Sequence, residues 1–315
     1  MSRRPVFDGH VDLLHHLREH HPGAPFAKVR DGPLTMQRLQ QGKVRAFLSA
    51  YFLSDDNNGP GAGLALERAV AYLKEQAPEI AAARRPADLR KAMASDQGPP
   101  VAVNLLENAD ALLEYDLDRF ADERFKVVGL THFSRNRLAA GDQADPAFGL
   151  TEAGRDLLAR MERRGLILDT AHLNETSFFQ ALEHFRGPVL CSHTGLRRFH
   201  DTPRNLSGEQ VAALMERGAV VGVTVAPEIL AADRSAGLEE AVRSIDWIVQ
   251  RFGPEGVGLG SDYGGFDTPS RGLEHPGLLD RLGAALDGLG YPEEAVAGIM
   301  GGAWLRFFEA NWPGA

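Results

Sequence analysis

Eight short runs of β-branched and apolar residues recur along the chain, each followed by a longer stretch of helical character. That alternation leaves few architectures open. The runs are 5–12 (PVFDGHVD), 43–52 (KVRAFLSAYF), 101–107 (VAVNLLE), 125–133 (FKVVGLTHF), 166–172 (LILDTAH), 188–193 (PVLCSH), 219–226 (AVVGVTVA) and 256–262 (GVGLGSD). Most are apolar at successive positions, as in parallel strands covered by helices on one side and packed into an interior on the other. The helical stretches carry end signals. TEAGRDLLARMERRG opens on a threonine cap and closes on Arg-Arg-Gly, with positive charge at the helix C-terminus and glycine just past it. NLSGEQVAALMERGA offers Ser207 and Gln210 as a capping box. Eight strand–helix units with none left over predict a (β/α)8 barrel forming one domain over 1–315. The rival, a doubly wound open sheet, lacks a GxGxxG turn after its first strand. The long segment 53–100 reads as a surface loop at DDNNGPGAG followed by two helices.

The polar residues fall at the ends of these runs. His10 and Asp12 close the first, Glu107 the third, His132 the fourth, His172 the fifth, His193 the sixth and Asp262 the eighth. Barrel enzymes build their sites at the C-terminal ends of the strands, so these seven residues are expected to converge on one mouth. Unpaired buried charges there cost several kcal/mol, and a bound cation is the usual compensation. His10 and Asp12, two apart on a strand, face the same side and suit one cation. His172 and His193, on adjacent strands, suit a second, and Glu107 between the pairs can bridge with its two oxygens. Imidazole and carboxylate without thiolate favour two Zn²⁺, with Mn²⁺ or Co²⁺ as substitutes. Two such ions about 4 Å apart hold a bridging hydroxide and lower its pKa towards neutrality.

The opening FDGHVDL resembles the Asp-Gly-His-x-Asp motif of the membrane (renal) dipeptidase family, peptidase family M19. The resemblance continues in order through LLENADAL, GLTHFSRN, LILDTAHLNETSF, PVLCSHTGLR, PRNLS, GVGLGSDYGGFD and GIMGGAWLRFFE, covering nearly the whole chain. It implies a zinc-dependent hydrolysis of dipeptides at a two-metal centre, with His10, Asp12, Glu107, His172 and His193 as ligands. It further implies that Asp262 handles protons, that His132 stabilises the oxyanion, and that Arg204 receives the substrate carboxylate. A homodimer is implied by the resemblance alone. Three departures from the family pattern are expected to bear on the substrate more than on the metals. Asn108-Ala109 follow the glutamate where glycine is usual, Thr224–Glu228 replace an Asn and an aromatic residue, and Ala303 replaces an Asn.

Two other readings compete. One is a two-metal hydrolase of another amide, N-acyl amino acid or lactone, since related barrels exchange substrates through their loops. The other is a non-catalytic barrel that binds a metal or small ligand. Several polar clusters read as structural. His15, His16, His20 and His21 suit a solvated helix and loop, Arg197 and Arg198 solvated loop positions, and Asp267 a turn. Asp169 either orients a ligand or serves the fold. The formal net charge of −9 argues against a nucleic-acid partner. The termini lack a secretory signal or lipid-anchor pattern, and no apolar run reaches about 18 residues. A single cysteine, Cys191, is read as a buried strand residue in a reducing compartment. Together these features predict a soluble, cytoplasmic protein without a membrane partner.

Overall fold

The computed structural model describes residues 4–312; the readings of the extreme termini, 1–3 and 313–315, lie outside the described residues. Eight parallel strands follow one another around a barrel: β1 (Val6–Val11), β2 (Val44–Phe52), β3 (Val101–Glu107), β4 (Phe125–Gly129), β5 (Ile167–Asp169), β6 (Val189–Thr194), β7 (Val221–Val223) and β8 (Val257–Leu259). A two-residue strand, Ala81–Ala82, pairs with the start of β3. Helices lie between successive strands, so the architecture is a (β/α)8 barrel. The seam between β8 and β1 is closed just past the ladders. Asp262 donates its N–H to His10 O at 3.0 Å, Asp12 donates to Tyr263 O at 2.9 Å, and Ser261 N–H reaches Asp8 Oδ1 at 2.7 Å.

The strands are short because the C-terminal ends of several runs leave the ladder. The fourth strand stops at Gly129, the fifth at Asp169 and the eighth at Leu259, so His132, His172 and Asp262 stand on loops three residues beyond. This corrects the longer strands 125–133, 166–172 and 256–262. At two of these positions the backbone turns left-handed, with φ of 63° at His172 and 71° at Asp262. Such conformations in residues other than glycine are costly and collect at functional sites.

Alternation within the strands separates two cores. In β3, Val103 and Leu105 join Phe7, Ala46, Leu48, Ala50, Val127, Ile167 and Leu190 in the barrel interior, whereas Ala102 and Leu106 pack with the surrounding helices. The period of two then puts Glu107 on the interior side, at the last paired position of β3. The far end of the interior is filled by Trp304, fully buried, whose indole N–H donates to Leu259 O at 2.8 Å. A Cβ on Gly9 or Gly258 would lie 2.3 or 2.4 Å from this indole, so both strands pass it only as glycine. Ala303 is buried beside Trp304 in this plug, so that departure concerns packing and not the substrate.

The helix ends follow the sequence signals. Thr151 Oγ1 accepts from Gly154 N–H ahead of the helix Glu152–Arg163, and Ser207 and Gln210 form the reciprocal capping box of Gly208–Glu216. The segment after β2 holds the helices Ala62–Gln76 and Pro86–Met93. The histidine-rich helix differs from its solvated reading. His16 is fully buried and its Nε2 lies 3.0 Å from Leu34 O. It faces the body of the barrel in the apolar company of Leu13, Leu14 and Leu17. Among the described residues, no helix is long and apolar enough to cross a membrane.

Candidate metal centre

His10 comes from β1, Glu107 from β3 and His193 from β6, while Asp12, His132, His172 and Asp262 come from the loops that leave the strand ends. All border one mouth. Asp12, Glu107, His132, His172, His193, Arg204 and Asp262 line a cavity of about 640 Å³, and His10 lies beneath it, fully buried.

Glu107 occupies the centre, and its two oxygens face different groups. Oε2 lies 3.8 Å from His10 Nε2, whereas Oε1 lies 3.1 Å from His172 Nε2 and 3.8 Å from His193 Nε2. His10 Nε2 is also 3.1 Å from Asp12 Oδ2. Donor atoms of His10, Glu107 and His193 lie within 4.8 Å of one another, as do those of Glu107, His132 and His172, and those of His10, Asp12 and Asp262.

The outer ring nitrogens are already engaged. Ser192 Oγ stands 3.1 Å from His10 Nδ1 and 2.8 Å from His193 Nδ1, and Asp142 Oδ2 stands 2.9 Å from His172 Nδ1. If each Nδ1 carries the proton, the lone pairs of all three Nε2 atoms point inward. The Nε2 atoms of His172 and His193 are then only 3.2 Å apart, an arrangement that needs a proton or a cation between or beside them. Imidazoles with anchored Nδ1–H groups around a carboxylate, neutral once a cation takes the place of their inner protons, form a candidate metal site.

The electrostatics tell the same story of crowded charge. Burial disfavours the His10 cation, but Asp12 and Glu107 outweigh it and push its pKa up to about 10. His193 is driven well below the usual imidazole range by burial and by His10. Burial, reinforced by Asp12, raises Asp262 well above the usual carboxylate range. His132 is lowered by burial and by His172.

The flanking residues settle into distinct places. His132 Nδ1 lies 3.6 Å from Asp55 Oδ2, and its ring centroid is 4.5 Å from that of His172. Arg204 donates through Nη2 to His193 O at 3.2 Å, while its Nε is buried without a hydrogen bond, 3.7 Å from Asp142 Oδ2. Asp169 touches no imidazole. It accepts from Ser192 N at 2.9 Å and Ala171 N at 3.0 Å, so it braces the backbone that presents Ser192 and His193. Asn108 takes φ 74°, a conformation open to Asn as well as Gly, and its amide joins Leu53 O to Asn58 Oδ1. The turn next to Glu107 is thus kept without glycine.

Sequence reasoning missed Ser192, Asp142 and Asp55. Ser192 carried a readable signal, because it is a polar residue inside β6 directly before His193. Asp142 and Asp55 are brought in by loops 30 and 77 residues away from the histidines they meet, in stretches of no periodicity.

Comparison with known proteins agrees with this fold. The profile of Membrane dipeptidase (Peptidase family M19) matches residues 1–311. The chain is 26% identical over 330 residues to Dipeptidase 3 of Rattus norvegicus, covering 96% of this chain and 64% of that protein. It is 26% identical over 339 residues to an uncharacterized dipeptidase of Schizosaccharomyces pombe, covering 99% and 82%. Among solved structures, it is similar to a dipeptidase described as a metallo peptidase of family M19, with TM-score 0.89, 24% identity and coverage of 99% and 100%. A metallo peptidase from Rhodobacter sphaeroides, liganded with a phosphinate mimic of the dipeptide L-Ala-D-Ala, superposes with TM-score 0.86 at 23% identity, covering 99% and 100%. With the family profile spanning all eight strands and every residue of the mouth, the chain belongs to the membrane dipeptidase family, peptidase family M19, and is a dipeptidase of that family.

Proposed function

We propose that the protein hydrolyses free dipeptides at a pair of divalent ions held by His10, Asp12, Glu107, His172 and His193. Zinc suits a donor set of imidazoles and carboxylates, and manganese or cobalt can replace it. The observation that carries the reading is the division of Glu107, with Oε2 towards His10 and Oε1 towards His172 and His193. In this reading His10 and Asp12 serve one ion, His172 and His193 the other, and Glu107 both. When bound, the ions supply a water of lowered pKa and polarise the scissile carbonyl.

The protein's own groups do the rest. Arg204 borders the cavity, so its guanidinium can take the substrate's C-terminal carboxylate and fix the peptide over the centre. Asp262 takes the proton released as water attacks and returns it to the departing amine. His132, held near Asp55 and facing His172, donates to the oxyanion that develops on the carbonyl. The dipeptide mimic bound by the R. sphaeroides protein, which shares this fold, supports a substrate of that size. The single cysteine, buried and without a disulfide partner, supports a cytoplasmic setting.

The test pairs elemental analysis with a dipeptide panel in L,L and L,D forms. About two ions per chain and dipeptide turnover are expected. No more than one ion at full loading overturns the bridging role of Glu107. Turnover of N-acyl amino acids or lactones in place of dipeptides favours the other-substrate reading, and a loaded protein that hydrolyses none of them favours a binding barrel.

A further inference from the structure

The cavity wall carries two charged groups that the proposed chemistry does not use, Glu228 and Arg234. Glu228 lies in the short helix Pro227–Leu230 that follows β7, where the chain departs from its family's pattern, and it lines the cavity together with Ile229 and Arg204. Its Oε2 is buried and has no hydrogen-bond partner. Among the described residues no cation pairs with it. A carboxylate on the cavity wall with no cation beside it is completed by a basic group that enters the cavity.

Glu228 is also fixed relative to Arg204. Asn205, next to Arg204, donates through Nδ2 to Ile229 O at 2.9 Å and to His200 O at 2.8 Å, and His200 Nδ1 lies 3.2 Å from Ile229 O. Asn205 Oδ1 in turn accepts from Gly195 N at 3.1 Å, just after β6. The loop that carries Arg204 and the helix that carries Glu228 are therefore one tethered wall. If Arg204 holds the terminal carboxylate, the C-terminal residue is seated against this same wall, and its side chain is the part of the substrate offered to Glu228 in this proposal.

We infer that Glu228 is a specificity-determining residue that selects dipeptides whose second residue bears a basic side chain, lysine or arginine in character. The inference rests on the dipeptidase reading and deepens it. A charge-assisted hydrogen bond in a partly desolvated pocket discriminates by about 10–100-fold against an apolar side chain of equal length. Arg234, on the following loop and also at the cavity wall, is exposed and makes no ion pair with Glu228. It does not offset the orphan oxygen.

The experiment measures kcat/KM of the metal-loaded enzyme for Ala-Lys, Ala-norleucine and Ala-Glu, each with both hands of the second residue. Wild type is expected to prefer lysine over norleucine by about 10-fold or more, and Glu228→Gln to bring that ratio close to one. Glu228→Asp, which keeps the charge, is expected to retain part of the preference. A ratio near one in wild type, a ratio unchanged in Glu228→Gln, or a preference for Ala-Glu overturns the inference while leaving the dipeptidase reading in place. No turnover of any member overturns both.

Discussion

Replacing Ser192 by alanine removes one hydroxyl and should loosen both proposed metal positions at once. The Oγ atom lies 3.1 Å from His10 Nδ1 and 2.8 Å from His193 Nδ1, and both rings are buried. His10 belongs to one proposed ligand set and His193 to the other. When both Nε2 atoms bind metal, both Nδ1 atoms carry protons, and the two lone pairs of one hydroxyl accept them. Without it, two buried N–H groups lose their partner, at about 1–3 kcal/mol each if unrelieved. Loss of such an outer partner lowers metal affinity by about 10–100-fold, which is about 1.4–2.7 kcal/mol per ion. Alanine is smaller than serine, so no clash is introduced. The assay is metal retention against a graded chelator, read by elemental analysis, with circular dichroism to confirm the fold. Both ions should leave at lower chelator than in wild type. Retention of both within twofold of wild type, in a folded variant, would refute the reasoning; loss of one ion alone would show that only one imidazole depends on the hydroxyl.

Three further outcomes are expected. Asp262→Asn keeps the shape of the side chain but not its basicity, so kcat should fall by about 10²–10⁴-fold with metal content retained, whereas loss of metal would make Asp262 a ligand. Arg204→Ala should lower kcat/KM for free dipeptides while leaving the already poor turnover of C-terminally amidated dipeptides little changed; equal wild-type turnover of free and amidated dipeptides would remove Arg204 from substrate binding. Burial pushes the Lys126 ammonium down from 10.5 to about 8, so between those values the unfolded chain holds a proton the folded one has released. Stability relative to Lys126→Met should therefore rise as pH climbs through that window, and urea midpoints of the two proteins that run parallel from pH 8 to 10.5 would contradict it.

The barrel was legible because parallel strands must be apolar on both faces, and runs such as VAVNLLE and PVLCSH stand out against amphipathic neighbours. Where the strands stop was not legible. LTHF and TAH continue the β-like composition of their runs, yet Leu130 and Thr170 already lie outside the ladder, and His172 is turned by a left-handed backbone that composition does not encode. The residues that meet in the mouth were readable as strand-end outliers, because an imidazole or carboxylate ending an apolar run is conspicuous. Their supports were not. Asp142 sits in GDQADP, which looks like any turn, and only the path of the loop after β4 carries it to His172. His16 was misread for the opposite reason: its polar neighbours His15 and His20 suggested a wet helix, while the leucines at 13, 14 and 17 set the buried face.

The seam between β1 and β8 has a consequence for synthesis. Ser261 and Asp8, which meet there, are separated by 253 positions in the chain. During translation β1 is made long before β8 and can pair with β2 on one side only, its other edge staying open until β8 is made. His10 lies on β1 with Asp12 just past its end, and Asp262 stands on the loop that leaves β8. A nascent chain can therefore hold most of the proposed metal donors before it has the carboxylate proposed to handle protons. In the proposed mechanism, the carboxylate that handles protons comes into place with the same contact that closes the ring.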